Sequence, residues 1–173
     1  MIHRNRGQAF EHLINISNQM YKNARIAVMN KRPTPIKVLK TDKFGKIKES
    51  CWEAKSTVDY DGVYRGYAVC FEAKSVDVET RFDLKNIAAH QIDYLELAEK
   101  MGAICFFLIE FRKEKTIFLA PFSFIKEYVA AANAGGSKSI PRAVFNDRAY
   151  LVKSTNRALV DYIQCIDENI LVG

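Results

Sequence analysis

The sequence predicts an α/β fold with a mixed central β-sheet flanked by helices. Three observations predict it. The chain opens on an apolar stripe at helical spacing, the middle of the chain alternates strand patterns with a long helix, and residues 103–109 form a continuous apolar run directly after that helix. Such a run is the mark of a strand buried on both faces. The length of 173 residues suits one domain, 1–173, with a core large enough to be stable on its own. With 49% apolar and 27% charged residues, composition excludes a disordered chain. No apolar run reaches the ~18 residues of a membrane span, and the N-terminus has no signal-peptide apolar core, so a cytoplasmic location is expected.

The elements follow in order. Phe10, Leu13, Ile14 and Met20 recur at helical spacing and predict a helix over 6–21. Residues 27–29 read as a short strand that ends before Pro33 and Pro35, which exclude a helix. Residues 36–39 and 47–49 read as two strands of a hairpin joined by a turn at 41–46. Residues 56–66 are turn-rich and include an Asp-Gly step at Asp61 and Gly62. A strand is expected over 67–74 and a helix over 86–101, with Gly102 as its C-cap. After the buried strand come a strand at 116–120, a helix at 122–134, a flexible polar loop at 135–141, and a last helix at 156–169 carrying Leu159, Tyr162, Ile163 and Ile166 inward.

Charge is unevenly placed. Residues 22–48 hold nine basic side chains (Lys22, Arg25, Lys31, Arg32, Lys37, Lys40, Lys43, Lys46 and Lys48) against the single acid Asp42, while the remaining chain is slightly acidic. A single-sign concentration suits a polyanion binder, and a lysine-rich solubilising loop fits equally well on charge alone. With few residues to bury, the basic hairpin at 32–52 is expected to project as an arm. Cys51, Cys70, Cys105 and Cys165 are scattered without metal-ligand spacing; Cys70 and Cys105, inside apolar runs, read as small hydrophobes.

The chemistry is expected at the end of the 67–74 strand. Alternation puts Ala68, Cys70, Glu72 and Lys74 on one face, and Val69, Phe71 and Ala73 on the other. Asp59 precedes Glu72 by 13 residues across a turn at 62–66 that folds a hairpin and brings the two acids together. Two carboxylates suit Mg2+, which takes one or two of them together with water and phosphate, and a lysine beside them can orient the attacking water or stabilise growing charge. A bare Glu-x-Lys, however, is more often a salt bridge at a strand end.

The neighbouring motifs change that balance. Residues 5–11 (NRGQAFE), 31–35 (KRPTP), 56–66 (STVDYDGVYRG), 71–74 (FEAK), 84–86 (LKN), His90 with Gln91, and 138–141 (KSIP) resemble, in the same order, those of the RecU-type Holliday-junction resolvases. The resemblance implies a restriction-endonuclease-like fold of the PD-(D/E)xK superfamily. It also implies a homodimer that nicks opposed strands of four-way junction DNA in recombination and repair. Asp59 and Glu72 resemble the metal-binding acids, Ala73 supplies a backbone carbonyl, Lys74 matches the catalytic lysine, and Gln91 matches a glutamine near the scissile phosphate. Glu11 resembles a helical acid that completes the metal site in related archaeal enzymes, and Thr57 is a further metal candidate. The implied cofactor is Mg2+, with Mn2+ as substitute. The basic hairpin becomes a stalk that engages the junction centre, with Lys37, Lys40, Lys43, Lys46 and Lys48 on phosphates, joined by Arg6, Lys31, Arg32 and Arg65. Branch-migration or recombinase proteins are implied partners, in a bacterial or phage-infected cell. Another PD-(D/E)xK endonuclease, acting on linear or other branched DNA, is the alternative. The chain departs from the family pattern in having Val58 where a second threonine is common and Asp61 where asparagine is usual. Asp61 reads first as part of an Asp-Gly turn, with metal binding as the alternative, and Arg65 reads either as a phosphate contact or as its ion-pair partner.

Overall fold

The computed structural model describes residues 4–33, 36–52 and 57–171, with side chains left aside at residues 4–6, 36 and 52. In chain order these residues form α1 (Arg4–Asn23), β1 (Val28–Lys31), β2 (Ile36–Thr41), β3 (Ile47–Trp52), β4 (Tyr60–Tyr64), β5 (Tyr67–Val76) and β6 (Arg81–Asp83). A short 3-10 turn, Leu84–Asn86, leads to α2 (Ala89–Lys100), β7 (Ile104–Phe111), β8 (Thr116–Pro121), α3 (Phe122–Asn133), β9 (Ser139–Pro141), α4 (Val144–Arg148), β10 (Tyr150–Val152) and α5 (Tyr162–Asn169). No described helix is long and apolar enough to cross a membrane.

The expected mixed sheet is present, in the order β1-β4-β5-β7-β8-β10. Every neighbouring pair is antiparallel except β5 and β7, which run parallel from Val69 opposite Ile104 to Val76 opposite Phe111. A parallel pair requires a crossover, and α2 supplies it. Alternation along the strands divides the apolar side chains into two cores. Phe71, Phe106 and Leu108 face α1 and α5, whereas Cys70, Cys105, Phe107 and Ile109 face the side carrying Leu95 of α2 and Phe122, Phe124 and Ile125 of α3. Cys70 and Cys105 are buried free thiols in direct register, as small hydrophobes would be.

A column of rings locks the centre of the sheet. Tyr60, Phe71 and Phe106, on three successive strands, stack at 4.8 and 4.9 Å between centroids, nearly parallel. Tyr162 of α5 leans against both phenylalanines. Stacked pairs on a pleated surface favour one register over its neighbours.

Several elements differ from expectation for identifiable reasons. Residues 61 and 62 lie inside β4 and form no turn there. Gly62 is required by close approach: a Cβ there would stand 2.0 Å from the Val28 carbonyl oxygen of the edge strand β1. The reversal comes later, at Arg65 and Gly66, both with positive φ, as a two-residue hairpin joining twisted strands demands. The last helix starts at Tyr162, because Asp161 is its N-cap and accepts the Gln164 amide; Leu159 is left exposed before it. On α1 the buried stripe is Phe10, Ile14, Ser17, Asn18 and Tyr21, with Leu13 exposed. Buried Ser17 and Asn18 tie α1 to the α5 region: Ser17 accepts the Val160 amide, and Asn18 Oδ1 accepts the Tyr162 hydroxyl. Part of the 135–141 loop is β9, paired with β6 around the buried Ile140.

The basic hairpin is a separate two-stranded sheet of β2 and β3, exposed along its length. Asp42 shapes the tip. The Asp42 carboxylate accepts the amides of Phe44 at 2.8 Å and Lys46 at 3.0 Å, and Gly45 takes a positive φ between them. Asp42 is thus spent on the turn, and the hairpin lysines face solvent.

The contact of Gly62 with β1 sets a stability test. Gly62→Ala should lower the free energy of unfolding by about 3 kcal/mol or more, at or above the upper end of the usual overpacking cost because backbone must move. Urea midpoints against wild type measure it.

Candidate active site

The site forms where the β4–β5 ladder ends. The last regular rung pairs Tyr60 with Phe71. Beyond it, side chains replace the backbone rung. The Asp59 amide donates to Glu72 Oε1 at 3.1 Å, and the Ala73 amide donates to Asp59 Oδ2 at 3.1 Å. The two acids are therefore clasped reciprocally, each carboxylate on the other strand's backbone, as the hairpin reading requires.

Glu72 is fully buried. Its Oε2 receives the Lys74 ammonium at 3.1 Å and the Gln91 amide nitrogen at 2.5 Å. Gln91 Oε1 in turn accepts from Lys74 at 3.2 Å and from the Ala88 amide at 3.0 Å. The latter bond caps the start of α2, although Ala88 has no side chain to reciprocate as in a full capping box. Thus a residue fixed by helix capping closes a triangle with the carboxylate and the lysine on β5. Two of the three Lys74 N–H donors are engaged among the described residues.

Burial raises the Glu72 carboxyl to about 8; the Lys74 charge works against that shift and the Asp59 charge adds to it. Three donors converge on its oxygens, so the hydrogen-bond geometry is built for the anion while desolvation opposes it. A divalent cation between Asp59 and Glu72 would relieve that conflict, and a carboxylate pair beside a lysine fits the oxygen-rich donor set of Mg2+. Among the described residues no three His, Cys, Asp or Glu side chains are grouped to hold a metal ion. The pair, completed by water and phosphate, is what the residues offer.

The other expected residues are placed as follows. Glu11, on α1, is ion-paired with Lys31. It lies near the same hydroxyl as Asp59: Tyr60, 3.1 Å from Asn15 Oδ1 and 3.3 Å from the Glu11 carbonyl, is pushed upward by burial and then by the Glu11 and Asp59 charges. Arg32 donates to the Thr57 hydroxyl oxygen at 2.5 Å and to Asp61 at 2.8 Å. Asp61 is therefore the ion-pair partner of Arg32, and neither a turn residue nor the partner of Arg65. Arg65 pairs with Asp167 of α5 at 3.2 Å. Lys37, Lys40, Lys43, Lys46 and Lys48 are exposed on the hairpin; the Arg6 side chain lies outside the described residues. Tyr60 and Tyr94 belong to the site's surroundings without having been singled out, since an aromatic at a core-facing position carries no sequence mark of what its polar edge touches.

The family model described as "Recombination protein U" matches residues 5–168. The chain belongs to the RecU family. Curated relatives named "Holliday junction resolvase RecU" are 37% identical in Pediococcus pentosaceus, over 98% of this chain and 86% of that protein, and 37% identical in Streptococcus mutans, over 98% and 87%. A third, from Streptococcus gordonii, is 35% identical over 98% and 86%. A solved structure of Archaeoglobus fulgidus Hjc, a Holliday junction resolvase, overlaps 64% of this chain and 77% of its own at 10% identity, with a TM-score of 0.38. That overlap is too loose to build on; the RecU relatives carry the comparison.

Burial of Glu72 predicts a pH dependence in the metal-free protein. A carboxyl held above its unfolded value favours the folded state most when protonated. Stability should therefore fall as pH rises from the ordinary carboxylate range to about 8, and level off above it. Urea unfolding in EDTA at pH 5 to 8.5 should show this fall in wild type and its loss in Glu72→Gln.

Proposed function

We propose that the protein is a Holliday-junction-resolving endonuclease that hydrolyses phosphodiester bonds with Mg2+, or Mn2+ in its place, held by Asp59, Glu72 and the Ala73 carbonyl. The observation that carries this reading is the reciprocal clasp of Asp59 and Glu72 beside Lys74, in a chain whose relatives bear the name of junction resolvases.

Each residue has a role under this reading. Asp59 and Glu72 supply anionic oxygens from rigid strand ends, where geometry is held better than on loops. When bound, Mg2+ polarises the phosphoryl oxygen and acidifies a water. Lys74, steadied by Glu72 and Gln91, directs its remaining N–H toward the attacking water or the phosphoryl oxygen, where charge grows in the transition state. Gln91 keeps Lys74 and Glu72 in register and borders the scissile phosphate. Glu11, released from Lys31, would be a further oxygen ligand for the metal. The hairpin lysines Lys37, Lys40, Lys43, Lys46 and Lys48 bind junction phosphates and give affinity without base readout. Two opposed nicks require two active sites, hence a homodimer.

Three measurements test the reading. Asp59→Asn should keep junction affinity while cleavage falls on the order of 10³-fold, the loss expected when several kcal/mol of metal-based stabilisation is removed; normal cutting by this variant would discard the site. At equal salt, a four-way junction should be cut in preference to a linear duplex of matching sequence, and equal cutting of both would instead favour a less selective endonuclease. Replacing Lys40, Lys43 and Lys46 with Ala should weaken junction binding and flatten its salt dependence by about 3 in log–log slope.

A further inference from the structure

Arg32 stands between β1 and the basic hairpin, where its charge suggests one more phosphate contact. Its surroundings suggest something else. The Arg32 amide donates to the Asp59 carbonyl at 2.8 Å. Its guanidinium donates through Nε to Asp61 at 2.8 Å and through a terminal nitrogen to Thr57 at 2.5 Å. Thr57 and Asp61 lie two residues before and two residues after Asp59. The guanidinium is covered by the Tyr94 ring at 5.7 Å, and Tyr94 follows Gln91 by three residues on α2. A planar fork with fixed donors can bridge two acceptors in this way; an ammonium cannot reproduce both bonds.

We propose that Arg32 is a positioning residue for Asp59: it grips the chain on both sides of this acid and holds its carbonyl, fixing the carboxylate opposite Glu72. This rests on the reading of Asp59 as a metal ligand. It also accounts for Asp61 in this chain: the acid stands there as the counter-ion of Arg32, at a place where the resemblance leads one to expect asparagine. Because Arg32 follows β1 and Pro33 leads from it toward β2, the same grip ties the root of the DNA-binding arm to the strand end that carries the metal-binding acid.

Three variants, Arg32→Lys, Arg32→Ala and Asp61→Asn, test this, each checked by thermal unfolding. Junction binding is measured in Ca2+, the single-turnover cleavage rate at saturating enzyme in Mg2+, and Mn2+ binding to the DNA-free protein by electron paramagnetic resonance. The expected result is a cleavage rate lower by about 10- to 100-fold in both Arg32 variants, the size of loss that ångström-scale misplacement produces. Mn2+ affinity should weaken in parallel, while junction affinity changes by less than about twofold and its salt slope stays the same. Asp61→Asn should lower the rate in the same direction, and the Arg32→Ala/Asp61→Asn double variant should be no slower than Arg32→Ala, as for residues acting together. The proposal is overturned if Arg32→Lys matches wild type in rate and Mn2+ affinity, or if Arg32→Ala loses affinity and salt slope at an unchanged single-turnover rate. If Arg32→Ala does not fold, Arg32→Lys and Asp61→Asn decide the matter. Wild type that binds Mn2+ but cuts no junction would count against the proposed function, while the Mn2+ comparison would still read the role of Arg32.

Discussion

At the end of the β4–β5 ladder, the backbone stops pairing and two acidic side chains take over its hydrogen bonds. Asp59 and Glu72 each accept a main-chain amide from the opposite strand. This arrangement makes the site depend on register. A slip of one residue between β4 and β5 would turn Glu72 to the other face of the sheet. The stacked rings of Tyr60, Phe71 and Phe106 sit one rung below and hold that register. The parallel β5–β7 pair and its α2 crossover bring Gln91 over the same strand end.

Burying a carboxylate in this position is unfavourable unless it is partnered. Glu72 is partnered by Lys74, Gln91 and the Asp59 amide, and still its carboxyl is raised by burial. A site that holds an anion under such tension is suited to a cation. Outside it, the hairpin carries a different kind of electrostatics. Its lysines are exposed, and solvated charge of this kind acts at long range and weakens in salt. Two kinds of charge are thus kept apart: dispersed cations on the hairpin and two clasped acids at the end of the β4–β5 ladder.

Much of this was legible in the sequence. The 2-residue period of β5 placed Glu72 and Lys74 on one face and Phe71 on the other, and the continuous run that became β7 announced the sheet centre. That the basic hairpin is exposed and separate from the main sheet followed from a charge run with little to bury. Other features were not legible because they are set by tertiary partners. The Asp61-Gly62 step has the composition of a turn, yet Gly62 is there to admit β1. Asp161 looks like an interior helix residue until its cap geometry is seen. Arg32 looks like one more cation of the basic segment, and only the fold shows its bonds to Thr57 and Asp61. Glu11 and Lys31 are 20 residues apart, and nothing in either local pattern indicates their pairing.

The central claim is that the clasped pair Asp59 and Glu72 is a divalent-metal site. The most direct measurement is anomalous diffraction from crystals grown in Mn2+. The account predicts one strong peak bonded to a carboxylate oxygen of Asp59, a carboxylate oxygen of Glu72 and the Ala73 carbonyl oxygen. A peak bonded to other residues, or none at saturating Mn2+, would contradict it.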